Sequence, residues 1–113
     1  MAIQGGSVQR VAVLFARRGS IYNRFAQADV FDLGRDALTF GGGCPVIAHP
    51  PCRAWGRLRH LSKHAMGELE LAHFAVRAVR FNGGVLEHPE ASTLWRVAQL
   101  PRPGTVDAVG GWT

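Results

Sequence analysis

Residues 45–52 read Pro45-Val46-Ile47-Ala48-His49-Pro50-Pro51-Cys52. The glycine triplet Gly41-Gly42-Gly43 breaks the chain just before them, and Pro45-Val46-Ile47-Ala48 reads as a short strand, the kind of apolar run that suits a buried parallel sheet. Proline fixes its own φ and restricts the residue before it, so the run ends in a stiff loop that carries Cys52. Upstream, Val11-Ala12-Val13-Leu14-Phe15 is a similar run, bounded by Arg10 and by Arg17-Arg18. Gly19-Ser20 supplies a turn and a cap for a brief helical stretch through Tyr22 and Phe25, and Asp29-Val30-Phe31-Asp32 suits a second short strand.

Downstream, Ser62 can cap a long helix reaching about Phe81, since Leu69, Ala72, Val76 and Val79 keep helical spacing. Arg77 and Arg80 favour its carboxyl end, and Asn82-Gly83-Gly84 stops it. Val85-Leu86 then forms a fourth strand running into Glu87-His88-Pro89. A second helix is expected from Pro89 or Glu90 to Gln99, broken by Pro101-Arg102-Pro103-Gly104.

Strands alternating with helices predict a Rossmann-like, three-layer α/β domain with a mainly parallel sheet of about four to five strands. No repeat or linker divides residues 1–113, so the chain reads as one domain. Ligands of such sheets bind at the carboxyl ends of the strands. The Cys52 loop and the Glu87 segment each follow a strand directly, which puts both on that edge.

Composition narrows the classes. The apolar runs fall short of the about 20 residues a membrane-spanning helix needs, and the amino terminus carries no signal-peptide pattern. Two cysteines, Cys44 and Cys52, fit reduced thiols in the cytoplasm better than a disulfide. Thirteen Lys+Arg against eight Asp+Glu give a formal charge of +5, and Lys63 is the sole lysine. Arginine-rich usage fits phosphate contact, because the guanidinium fork matches phosphate oxygens; it also fits a GC-rich genome.

Distribution says more. Residues 53–64 hold Arg53, Arg57, Arg59 and Lys63 with no acid, and Trp55 lies among them. That pattern suits base stacking with phosphate contact, so nucleic acid, DNA above all, is the expected partner. The alternative is a solvated basic loop in which Trp55 and Leu58 are anchors to the core. Cys44, His49, Cys52, His60 and His64 could suggest zinc. Cys44 and Cys52, however, flank one strand and would lie too far apart to share an ion, so no metal is expected. Cys52, after two rigid prolines and beside Arg53 and His49, is the candidate nucleophile.

These segments resemble DNA cytosine-5 methyltransferases, which carry Pro-Pro-Cys at the end of a central strand. The resemblance implies that Cys52 attacks a flipped cytosine and that Glu87, 35 residues later, holds the base. It also implies S-adenosylmethionine as cofactor, held by a turn corresponding to Leu14–Gly19, with Phe15 and Gly19 against it; Asp32 and Asp36, with Arg35, are candidates to lie near its ribose, the alternative being solvated surface charge. The chain departs from the family in four places. Arg17 and Arg18 stand where the family has glycine, so their side chains oppose close backbone approach. Arg53 replaces a Gln and His88 an Asn. The chain also ends at Gly110-Gly111-Trp112-Thr113, before the later motifs of the family. It is read as an N-terminal fragment or as a reduced relative.

His49-Pro50-Pro51-Cys52-Arg53 followed by Leu86-Glu87-His88-Pro89 is also similar to short phage-encoded proteins, with a bacterial host cytoplasm as the setting. The competing function is a catalytically inactive binding protein. A phage inhibitor of a bacterial defence complex, of the anti-CRISPR kind, fits the size and charge and would take a protein partner.

Overall fold

The computed structural model describes residues 9–32, 35–56 and 67–103. Four strands form one sheet: β1 (Val11–Leu14), β2 (Ala28–Phe31), β3 (Val46–Ala48) and β4 (Gly84–Leu86). Their order is β2-β1-β3-β4, and every pairing is parallel. This is a small Rossmann-like α/β fold, as the alternation of apolar runs and helical spacing predicts. The order reverses at β1, with β2 on one side and β3 on the other. The β1/β3 junction is therefore the topological switch point where such folds bind ligands.

The helix α1 (Gly67–Asn82) covers one face of the sheet. Ala75, Ala78 and Val79 pack against Ala12, Leu14, Val46 and Ala48, all nearly solvent-free. These small residues let α1 lie close to the strands, and Phe15, Phe40 and Phe74 fill the margins. Ala37, in a 3₁₀ turn over Ala37–Thr39, joins the same cluster. The β1–β2 connection carries a single 3₁₀ turn, Ile21–Arg24, capped by Ser20 as expected: its hydroxyl accepts from the Tyr22 N–H at 3.2 Å.

α1 ends where the asparagine and glycines predict. Asn82 donates to the Ala78 carbonyl at 2.9 Å and accepts from the Gly43 N–H at 3.1 Å, tying the helix end to the glycine triplet. Gly83 takes a positive φ of 80°. Gly84, at φ 132°, lets β4 approach β3 so closely that a Cβ there would lie 1.9 Å from the Val46 carbonyl oxygen. The predicted start of α1 at Ser62 lies outside the described residues.

The second helix is a correction. Instead of spanning Pro89 or Glu90 to Gln99, α2 covers Leu94–Val97 alone. Side-chain chemistry in the preceding segment holds the chain in turns: the Ser92 N–H bonds the Pro89 carbonyl and the Ser92 hydroxyl accepts from Leu94. Gln99, at φ 58°, ends the helix. α2 is nonetheless well anchored, because Leu94 is fully buried with Trp55, Ala72, Val76 and Leu100 in a second cluster. No described helix is long and apolar enough to cross a membrane.

Candidate functional site at the carboxyl edge of the sheet

Because Ala48 and Leu86 are partners in the β3–β4 register, the residues just past them, His49 and Glu87, emerge side by side. The backbone continues the sheet for one more residue on each strand: the Glu87 N–H bonds the Ala48 carbonyl at 2.9 Å and the His49 N–H the Leu14 carbonyl at 3.1 Å. From these anchored positions the His49 Nδ1 meets the Glu87 Oε1 at 2.9 Å. The His49 Nε2 is buried and has no hydrogen-bond partner among the described residues. With Nδ1 donating to Glu87, Nε2 is the ring nitrogen left without a partner among the described residues. The ring of Tyr22, from the β1–β2 connection, packs on His49 with centroids 5.9 Å apart.

Cys52 is exposed three residues further on, and both cysteines are free thiols. The loop around it is rigid: the Cys52 carbonyl accepts from the Trp55 and Gly56 N–H groups at 2.9 and 3.0 Å. The Trp55 carbonyl in turn accepts from the N–H and hydroxyl of Thr93. The expected nucleophile and the expected base-binding acid thus follow neighbouring strands on one edge, with His49, three residues before Cys52, bonded to Glu87.

The neighbours proposed for nucleic-acid contact fare differently. Trp55 is only 5% exposed and packs its ring edge-on to His73 at 5.4 Å, so it is a core residue and not a stacking platform. Arg53 is exposed but its guanidinium is held by Glu68 of α1, with Nε 2.9 Å from Oε1. That hydrogen bond holds its pKa above the ordinary arginine value. Arg53 is therefore committed to an internal pair rather than to phosphate. Arg57, Arg59 and Lys63 lie outside the described residues.

The turn expected to hold S-adenosylmethionine does not fit that role. The Phe15 ring packs against Phe74 of α1, centroids 6.5 Å apart at 84°, and is taken up by the core. Gly19 has a positive φ of 75°, but nothing lies within 4 Å of where its Cβ would be, so it serves the turn and not a close approach. Arg17 and Arg18 are exposed beside it. Asp32, just past β2, is half-buried and has an interaction of its own.

His88 completes the edge. It is half-buried, its ring meets Trp95 edge-on at 6.0 Å, and neither nitrogen has a partner among the described residues. Burial lowers its pKa to about 4, so it is neutral near pH 7.

A concavity of about 780 Å³ is lined by Ser92, Thr93, Trp95, Arg96 and Leu100, and two others lie before β3. One of about 540 Å³ is lined by Phe40, Gly42, Phe74, Arg77 and Phe81, and one of about 660 Å³ by Arg10, Asp29, Arg35 and Thr39. Both include Gly41–Gly43 before β3, at the amino ends of the strands, away from Cys52 and Glu87. Asp29 there is paired with Arg35 and with Arg10, leaving little free charge for a ligand. No group of three or more metal-binding side chains is formed among the described residues.

No family model matches the chain, and comparison with curated proteins and with solved structures gives no significant match.

The His49–Glu87 pair is the feature that sequence reading did not assemble. Its signal was present: each residue stands immediately after an apolar strand, and parallel register makes such positions neighbours.

Proposed function

We propose that this chain is a nucleic-acid-binding domain of the cytosine-5 methyltransferase type, working without methyl transfer of its own. One observation carries the reading: exposed Cys52 and Glu87 follow adjacent parallel strands at the switch-point edge. That is where a flipped pyrimidine would need a thiol on one side and a hydrogen-bonding carboxylate on the other. The packed Phe15 and the exposed Arg17 and Arg18 argue against a cofactor cradle, so no methyl-transfer step is assigned to these residues.

The test is binding of a fluorescent cytosine-containing oligonucleotide by the whole chain, followed by anisotropy across a salt series. The reading expects binding that weakens as salt rises, because neutralised phosphates release counterions. Absence of binding at low salt would remove it. Titration with S-adenosylmethionine by calorimetry forms the second arm, with no heat of binding expected. Micromolar affinity would restore the enzyme reading.

A second reading is a purely inactive binding protein, for example an inhibitor of a bacterial defence complex. It is favoured by the ties of Glu87 to His49 and Arg53 to Glu68, which occupy two expected functional groups. The binding partner separates the two. Retention of a cytosine-containing oligonucleotide, weakened in Glu87→Ala, supports the nucleic-acid reading. Binding of protein but not of nucleic acid supports the inhibitor.

A further inference from the structure

The described arginines divide sharply by partner. Arg10 and Arg35 are held by Asp29, Arg53 by Glu68, and Arg80 by the Ala98 carbonyl, while Arg102 also has a partner. Arg17, Arg18, Arg24, Arg77 and Arg96 are exposed, and their side chains have no partner among the described residues. Three of these five lie in one stretch, Ala16–Gln27, which contains no acid at all.

That stretch is ordered by its own backbone. Ser20 bonds back to the Arg17 carbonyl, Asn23 to Ser20 and Phe25 to Tyr22, each at 3.1 Å. The N–H groups of Arg17, Arg18 and Gly19 donate to no backbone carbonyl among the described residues, so they are available to an anion. Ile21, between Arg18 and Arg24, is 62% exposed, and Phe25, next to Arg24, is 51% exposed. The stretch follows β1, and Tyr22 rests on His49, which brings it to the same edge as Cys52 and Glu87.

We propose that the β1–β2 connection is the surface that grips the nucleic-acid backbone: Arg17, Arg18 and Arg24 contact phosphates, and exposed Phe25 offers a face for a base. The inference rests on the nucleic-acid reading of this edge and deepens it by moving the grip from Arg53 and Trp55 to the β1–β2 connection, which touches His49 through Tyr22. Unpaired guanidinium groups meet phosphate at no cost of breaking an existing ion pair, whereas Arg53 would first have to leave Glu68. An exposed aromatic beside a cation in a basic stretch is the combination that single-stranded nucleic acid uses, and it favours that partner over an acidic protein.

The experiment compares two charge-matched variants of the full chain, Arg17→Ala with Arg18→Ala and Arg77→Ala with Arg96→Ala, on a labelled single-stranded oligonucleotide. The loop pair should weaken binding about tenfold or more and flatten the salt dependence by about 1.4 in log–log slope, at about 0.7 per lost contact. The distant pair should change affinity less than about twofold. Phe25→Ala should weaken binding with the salt slope unchanged, since stacking releases no counterions. All these positions are exposed, and far-ultraviolet circular dichroism checks that each variant folds.

Equal effects of the two pairs would overturn the loop assignment while leaving nucleic-acid binding intact. So would loss confined to Arg57→Ala with Arg59→Ala. No binding by the unaltered chain would overturn both the assignment and the function. Vesicles with anionic phosphatidylserine form the last arm; loop-dependent vesicle binding without oligonucleotide binding would assign the patch to a lipid surface and sink the proposal.

Discussion

His49 and Glu87 join the ends of β3 and β4 through a single 2.9 Å contact between Nδ1 and Oε1. The bond holds the imidazole through Nδ1, and Nε2 is buried without a partner among the described residues. Nitrogen-detected NMR above pH 7 should show the Nδ1–H tautomer of His49 in the unaltered chain. In Glu87→Ala the acceptor is gone, and the Nε2–H tautomer, ordinarily favoured in solution, should gain population. A dominant Nε2–H form before the substitution would contradict the pairing.

Gly84 is the tightest point of the fold. Its φ of 132° is open to glycine, and a Cβ would collide with Val46 backbone atoms at 1.9 and 2.7 Å. Backbone on the central strands cannot yield without breaking the β3–β4 pairing that sets Glu87 beside His49. Gly84→Ala should therefore cost about 3 kcal/mol or more, a large share of the about 5–15 kcal/mol typical of a domain. Urea unfolding measures it; an unchanged midpoint would show that β4 does not lie where the structure has it.

Much of the fold was legible in the sequence, and the reasons are local. The apolar runs at 11–15 and 46–48, the helical spacing from Leu69 to Val79 and the glycines after Asn82 each act within a few residues. The failures are tertiary. Nothing adjacent to Trp55 reveals that Ala72, Val76 and Leu94 will enclose it, because its sequence neighbours are basic and small. The Arg53–Glu68 pair joins residues 15 apart that meet only once α1 folds onto the Cys52 loop. In the expected second helix, Ser92 and Thr93 spend their hydrogen bonds on turns and on Trp55, against the helical pattern. The candidate site was half legible: Cys52 and Glu87 followed from strand ends, whereas the His49 link needed the register.

Cys52 should be the faster of the two thiols to alkylate. It is exposed, whereas Cys44 is partly buried beside the main core. Iodoacetamide treatment at neutral pH, resolved by peptide mass spectrometry, should label Cys52 first. Faster labelling of Cys44 would remove the premise that the Cys52 loop presents its sulfur at the surface.

His88 makes stability depend on pH in a definite window. Its pKa lies at about 4 in the folded chain, below the ordinary 6.5, because burial disfavours the cation. Between these values the unfolded chain binds a proton that the folded chain refuses, so stability falls as pH drops from about 6.5 towards about 4. Above about 6.5 the contribution is fully present. Denaturant midpoints for the unaltered chain and for His88→Gln should diverge in slope across this range, with the variant less sensitive. Parallel curves would show that His88 is not held neutral by the fold.

The central claim is that nucleic acid is bound at the carboxyl edge of the sheet, and amide chemical shifts during titration with a short oligonucleotide test it most directly. The account predicts that shifts concentrate in residues 16–25, 49–56 and 87–89, which share that edge. Shifts concentrated instead in Phe40–Gly43 and along Phe74–Asn82, around the concavity at the amino ends of the strands, would contradict it.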